Sequence, residues 1–250
     1  MPTKTIKNLF CLFLVFSATG RAGEKEQKLL ERAVQAQGGE SNVARLRIMR
    51  VKCEGTSAFN PGQPAMRFSI EDTWQMPNQY RSLQTYEING AKTSQLSVND
   101  GSNGWIQQNG QTQAMTKDDI TERLEQEYAE NFDRLQFLKD KALEVESVDD
   151  IKIDGKSAVG VRIRSKGHRD VRLYFDDDTG LLAKREHRVF DPGSGKEVVQ
   201  EVFFTDYQDH HGTKYPGKLV AHRNGKIMAE IKVVEVEFFD KLDAKVFAKP

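Results

Sequence analysis

Residues 66–74 read Met66-Arg67-Phe68-Ser69-Ile70-Glu71-Asp72-Thr73-Trp74, with apolar side chains at nearly every even position and polar ones at every odd position. Side chains of a strand point alternately to opposite faces, so this segment has one greasy face and one wet face. The same alternation returns in at least four later segments, most of them separated by turn signals. A chain patterned in this way makes a large antiparallel sheet whose apolar side must be covered. The cover can be the chain's own helices, a greasy ligand or a partner protein, and the function turns on which it is.

The remaining elements follow from local chemistry. Residues 24–37 carry Leu29, Leu30, Ala33 and Val34 on one helical face, and Gly38-Gly39 supplies a left-handed stop. Ser41 can cap a short second helix through Leu46. Strands are expected over about 48–58, closed by Asn60-Pro61-Gly62-Gln63-Pro64, and over 65–75 and 79–88. Asn89-Gly90 is a tight-turn signal into 92–98, and Asp100-Gly101 and Asn109-Gly110 flank a short strand at Trp105. One long helix is expected from Thr116 to about Lys139, capped by Thr116, with Asp118 and Asp119 in its first turn. Its apolar stripe is Ile120, Leu124, Tyr128, Phe132, Leu135 and Leu138. Further strands are expected over about 142–148, 157–165, 169–176, 181–190, 197–207, 217–223 and 226–238, joined as hairpins by Asp/Gly/Pro turns. No linker, fixed-period repeat or low-complexity tract interrupts them, so residues 23–250 read as one domain. A long mid-chain helix does not suit a sandwich. The expected fold is mainly β: a large curved antiparallel sheet forming an incomplete barrel, closed by the N-terminal helix pair and the long helix.

The N-terminus carries an address. Lys4 and Lys7 precede the apolar run Leu9-Phe10-Cys11-Leu12-Phe13-Leu14-Val15-Phe16, and small residues follow at Ser17, Ala18, Gly20, Ala22 and Gly23. This is the layout of a secretory signal peptide over residues 1–22, cut after Ala22. The run is shorter than the roughly 20 residues needed to span a bilayer. Its removal takes three basic residues and no acids, so 37 basic residues fall to 34 against 37 acidic ones. A net charge near −3 argues against nucleic acid as a partner. Cys11 leaves with the leader, and the remaining Cys53 reads as a small core residue without a disulfide.

Motifs that carry chemistry are sparse. His210-His211, with Asp206 and Asp209 before them, is the only cluster resembling a metal site, and Gly212 makes it read as a solvated turn. Asp176-Asp177-Asp178 lacks the ligand spacing of an EF-hand and reads as a hairpin turn. There is no Gly-x-Ser-x-Gly elbow, Gly-rich phosphate loop or His-Glu-x-x-His. No cofactor, metal ligand or catalytic residue is assigned. Asp72 stands out because it sits on the apolar parity of its strand, where a carboxylate costs several kcal/mol unless paired or solvated. It reads as a strand-end or Arg-paired acid, or as a polar contact at a cavity mouth.

Several stretches together resemble one family. They are Ala36-Gln37-Gly38-Gly39-Glu40, Arg50-Val51-Lys52-Cys53-Glu54-Gly55 and Asp100-Gly101-Ser102-Asn103-Gly104-Trp105. The hairpin 171–185, Phe204-Thr205-Asp206-Tyr207, Gly212-Thr213-Lys214-Tyr215-Pro216 and the terminal Phe247-Ala248-Lys249-Pro250 continue the series. The layout is similar to the outer-membrane lipoprotein-sorting (LolA-like) superfamily of bacterial periplasmic proteins. The resemblance implies an unclosed antiparallel barrel with a helical lid over a hydrophobic cavity for acyl chains. The lid-locking arginine of the sorting carriers has no matching motif here, Arg47 and Arg50 being only near its place.

The leading expectation is a periplasmic carrier, not an enzyme, that holds lipid or the acyl chains of a lipid-modified protein and hands them to a membrane-associated delivery partner. Its expected cavity lining is Phe68, Ile70, Trp74, Leu96, Val98, Trp105, Val171, Leu173 and Phe175, and its lid is Ile120, Leu124 and Tyr128. The rival expectation is an envelope sensor or accessory module whose interior is filled by its own side chains. A hydrolase or metal-dependent activity using His210 and Asp206 ranks third.

Overall fold

The computed structural model describes residues 23–57, 65–88, 90–136, 140, 142–191 and 193–250. The leader expected over 1–22, the loop at 60–64, Asn89 of the tight turn and Leu138 of the helix stripe lie outside the described residues. Five strands follow two short helices, α1 (Glu24–Gln37) and α2 (Glu40–Ala44), and a turn of 3-10 helix (Arg45–Arg47). They are β1 (Ile48–Ser57), β2 (Met66–Gln75), β3 (Gln79–Ile88), β4 (Ala91–Asn99) and β5 (Gly104–Gln108), with the short β6 (Gln111–Ala114) after them. Helix α3 (Lys117–Asn131) then leads into β7 (Glu144–Ile153), β8 (Lys156–Arg164), β9 (Val171–Asp176), β10 (Leu182–Asp191) and β11 (Lys196–Thr205). A small hairpin, β12 (Gln208–His210) and β13 (Thr213–Tyr215), precedes β14 (Lys218–Arg223) and β15 (Lys226–Phe238). The last element is a 3-10 turn at Ala244–Phe247.

Thirteen strands form one antiparallel sheet in the order β6-β5-β4-β3-β2-β1-β15-β14-β11-β10-β9-β8-β7. It is strongly curved and does not close into a barrel. Two arms of consecutive strands therefore meet at a single seam, where β1 pairs with β15. The first arm runs from β1 to β6. The second runs from β7 through β15, and α3 connects the two.

The period-2 pattern sets the faces. Met49, Val51 and Cys53 of β1 stand opposite Trp74, Asp72 and Ile70 of β2 and face inward. The alternate residues make an ionic outer face: Arg50 pairs with Glu237 at 3.3 Å and Glu71 at 3.7 Å, and Arg81 with Glu71 at 3.6 Å. The concave face is covered by helices. α1 buries Leu30, Ala33 and Val34 against the second arm, with its Glu26 accepting from Ser147 of β7. Gly38 and Gly39, both at positive φ, close α1 by returning their N–H groups to Gln35 and Val34 at 3.1 and 2.8 Å. α2 begins at Glu40 rather than being capped by Ser41, because Gly39 already turns the chain.

Helix α3 departs from expectation in length and in what it buries. Thr116 caps it reciprocally with Asp119. It ends at Asn131, well before residue 139, in a 3-10 turn (Phe132–Arg134). Leu135 then adopts φ 54°, which turns its side chain into the core and stops the helix. Its fully buried residues are Glu127, Ala129 and Asn131. Ile120, Leu124 and Tyr128 of the expected stripe are only half-buried.

Candidate functional site

The concave face divides into three regions. Beneath α3 it is occupied by charge. The helix reaches both arms, with Arg123 lying 3.9 Å over the Tyr80 ring and Arg134 4.1 Å over Trp74. On its other side Glu122 accepts from the Phe190 backbone N–H at 2.9 Å and pairs with Arg169 at 2.8 Å. Glu125 accepts from His168, whose ring stacks on Tyr128 at 3.8 Å. Arg123 Nε donates to Glu127 at 3.0 Å and its Nη2 to Glu130 at 3.2 Å. Asp133 is bound by Arg185 of β10.

Asp72 belongs to this network. Tyr80 donates to it at 3.0 Å, and burial raises its carboxyl to about 6, against the pull of Ser82 and Arg123. Burial likewise lifts Glu127 to about 7, against the pull of Arg123, and Asp133 to about 6, against Arg185. Asp72 is therefore not a strand-end acid: it is half-buried beneath the lid, within the field of Arg123.

The second region, away from α3, is apolar and half-open. Ile70, Cys53, Ile231, Leu219, Ala229 and Ala221 lie on adjacent inner-face positions of β2, β1, β15 and β14, and all are half-buried. Phe68 and Phe204 are buried beside them. Gly55 shapes this floor: a Cβ there would meet Phe68 Cζ at 2.6 Å and the Glu230 carbonyl at 2.3 Å, so the phenyl ring can lie across the strand. Cys53 is held as a thiol here, burial and then Asp72 pushing its pKa to about 12.

The third region is a polar row on the inner face: His187 of β10 stands opposite Gln200 of β11, which stands opposite Arg223 of β14. His187 is 5% exposed, and among the described residues neither ring nitrogen has a hydrogen-bond partner. Burial, then the charges of Arg185, Arg169 and Arg223, push its pKa down to about 2, so the ring is neutral. Two unmade bonds at a buried group cost about 1–3 kcal/mol each.

The expected lining residues fall into four places. Phe68 and Ile70 lie on the floor. Trp74 lies under Arg134, and Val171, Leu173 and Phe175 are inner-face core of the second arm. Leu96, Val98 and Trp105 lie on the opposite face. The register sets Val98 against Arg81 and Trp105, while Asn99 and Ser97 take the inward positions. The C-terminal turn crosses that outer face against β3, Phe247 is buried, and Thr112 donates to the Pro250 carbonyl at 3.2 Å. The alternation in β4 is clear, but its polar parity, Gln95, Ser97 and Asn99, faces inward, and the apolar parity is covered on the outer face by the C-terminal turn, which local patterning does not reveal.

Arg50 lies on the outer face, away from the lid, and Arg47 lines a groove of about 590 Å³ with Arg45, Ile48, Met76, Phe238 and Phe239. The arginines that fasten the lid are Arg123, Arg134, Arg169 and Arg185, none of which the sequence singles out. Their signal is faint: Arg123, Glu127 and Glu130 share a helix face, and Arg185 sits on the inward parity of its strand. The remaining turns serve the helices. His210-His211 closes the β12–β13 hairpin, and the His211 carbonyl accepts from Arg45 at 2.9 Å. Asp178 of the acidic turn accepts from Arg32 of α1 at 3.1 Å.

No family model matches the sequence, and no curated protein matches it. Solved structures do match. The chain is similar to a LolA superfamily protein from Nitrosomonas europaea, at TM-score 0.56 and 14% identity, over 89% of this chain and 97% of that one. It is similar to a domain described as an outer membrane lipoprotein-sorting protein from Vibrio parahaemolyticus, at TM-score 0.54 and 12% identity, over 89% and 97% of the two chains. A DUF1329 family protein from Desulfovibrio piger matches at TM-score 0.52 and 11% identity, over 89% and 96%. At these identities the likeness shows the LolA-like fold.

Proposed function

We propose that residues 23–250 form one periplasmic binding domain that carries the acyl chains of a lipid or lipid-modified protein, without chemistry, on the concave face of its sheet. The observation that supports this is the apolar floor around Ile70, Ala221 and Ile231, half-open on a face that helices otherwise cover. Residues 1–22 act as a cleaved export signal, and α3 is the lid. Each methylene buried on the floor contributes about 0.8 kcal/mol, so a chain of ordinary length is held by its hydrocarbon alone. The ordering and association costs of binding take back a large part of that.

A second reading has its own support. The charged network under α3 fills part of the concave face with the chain's side chains, as an accessory module for a protein partner would. Titration of a fluorescent fatty acid separates the two. Ile70→Asp and Ile231→Asp are expected to weaken binding at least tenfold, with circular dichroism unchanged. Failure of the wild-type protein to bind the probe, together with lipid-free protein recovered from a periplasm, sinks the carrier reading and leaves the accessory one.

A further inference from the structure

The polar row of β10, β11 and β14 contributes nothing to an acyl floor, yet His187 is kept at its closed end with both ring nitrogens unpartnered among the described residues. Buried polar groups nearly always find a partner, so an orphan embedded in a sheet face calls for one. The neutral ring offers one N–H donor and one lone pair. Gln200 and Arg223, at the open end, are half-buried, and Arg223 Nε donates to Gln200 Oε1 at 3.0 Å. That bond leaves the Gln200 amide group as a second donor. Two positions along the same strands lie Val202 and Ala221, so the row adjoins the floor directly.

The guanidinium groups near His187 are each balanced: Arg185 by Asp133, Arg169 by Glu122 and Glu197, and Arg223 by Asp191 at 3.7 Å. Asp191 holds Arg223 loosely, because 3.7 Å is beyond hydrogen-bond distance. Two N–H donors beside a loosely held guanidinium suit an electron-rich oxygen and repel an ammonium group.

We propose that His187, Gln200 and Arg223 form a headgroup site that binds the carboxyl oxygen of a lipid whose chain lies on the floor. The proposal rests on the carrier reading. The carboxyl oxygen belongs either to a free fatty acid or to an acyl ester, and one experiment separates these sources. Affinities of palmitate, methyl palmitate and hexadecane are measured by displacement of a fluorescent probe from the wild type, His187→Phe and Gln200→Leu. Wild type is expected to prefer a carboxyl-bearing compound over hexadecane by at least tenfold. Both variants are expected to lose that preference while holding hexadecane unchanged. Palmitate and methyl palmitate binding alike assigns an ester lipid, and palmitate alone assigns a free acid.

Variants that keep the wild-type preference overturn the headgroup site and leave the acyl floor standing. Wild type that binds none of the three overturns the carrier reading and the site with it. Should His187→Phe not fold, nitrogen NMR of the wild-type imidazoles decides. The His187 ring signals are expected to move as palmitate saturates, and unmoved signals at saturation refute the contact.

Discussion

Asp72 stands on an apolar parity because the lid is polar where it meets the first arm. Its carboxyl, raised to about 6, binds a proton more tightly in the folded chain than in the unfolded one, where the ordinary value is near 4. Its favourable contribution is therefore complete below pH 4 and lost as the pH rises through 6. Glu127, at about 7, and Asp133, at about 6, act with the same sign. Asp72→Asn keeps the shape and the bond from Tyr80 while removing the charge. It is expected to be more stable than wild type by about 1–3 kcal/mol at pH 7.5, and equal to it near pH 4. Thermal unfolding at the two pH values checks this, and a variant destabilised at pH 7.5 contradicts it.

Among the elements, α3 matters most. It is held to the second arm by side chains, not by a greasy face: Glu122 to the Phe190 N–H and Arg169, Glu125 to His168 and the Arg169 N–H at 3.0 Å. Charge-assisted bonds of this kind contribute about 1.5–3 kcal/mol when partly shielded. Glu122→Ala with Glu125→Ala is expected to speed amide exchange across 117–131 at least tenfold and leave β1 and β15 unchanged. Equal acceleration throughout the sheet denies α3 its independence. The strands were legible in the sequence because alternation and Gly turns are local signals, and β15 has its expected limits. The Asp154-Gly155 turn, with both residues at positive φ, went unread beside the acidic run before it. The lid's bonds were not legible, because Arg123 and Tyr80, or Arg185 and Asp133, meet only through the curvature of the sheet. His187 looked like any other strand histidine for the same reason.

At the scale of the molecule, an unclosed sheet has edges. β7 forms one of them and carries Glu144, Glu146, Asp149 and Asp150, with its pairing to β8 interrupted between Val148 and Ile151. Charge and a bulge on an edge strand discourage another chain from adding to it. Asp149→Val with Asp150→Val is expected to yield dimers or larger species in light scattering at concentrations where wild type runs as one size. Unchanged mass for that variant means the edge is guarded by something else.

The seam between β1 and β15 also fixes an order of events in time. Each arm is built of neighbours in sequence and can zip as it emerges, but the two cannot be joined until the last long strand has been made. Long-range pairing of this kind comes late, because the loop it closes spans nearly the whole chain. A chain released before residue 226 would hold two half-sheets with no shared wall. Completion of the hollow thus waits on β15, whichever arm forms first.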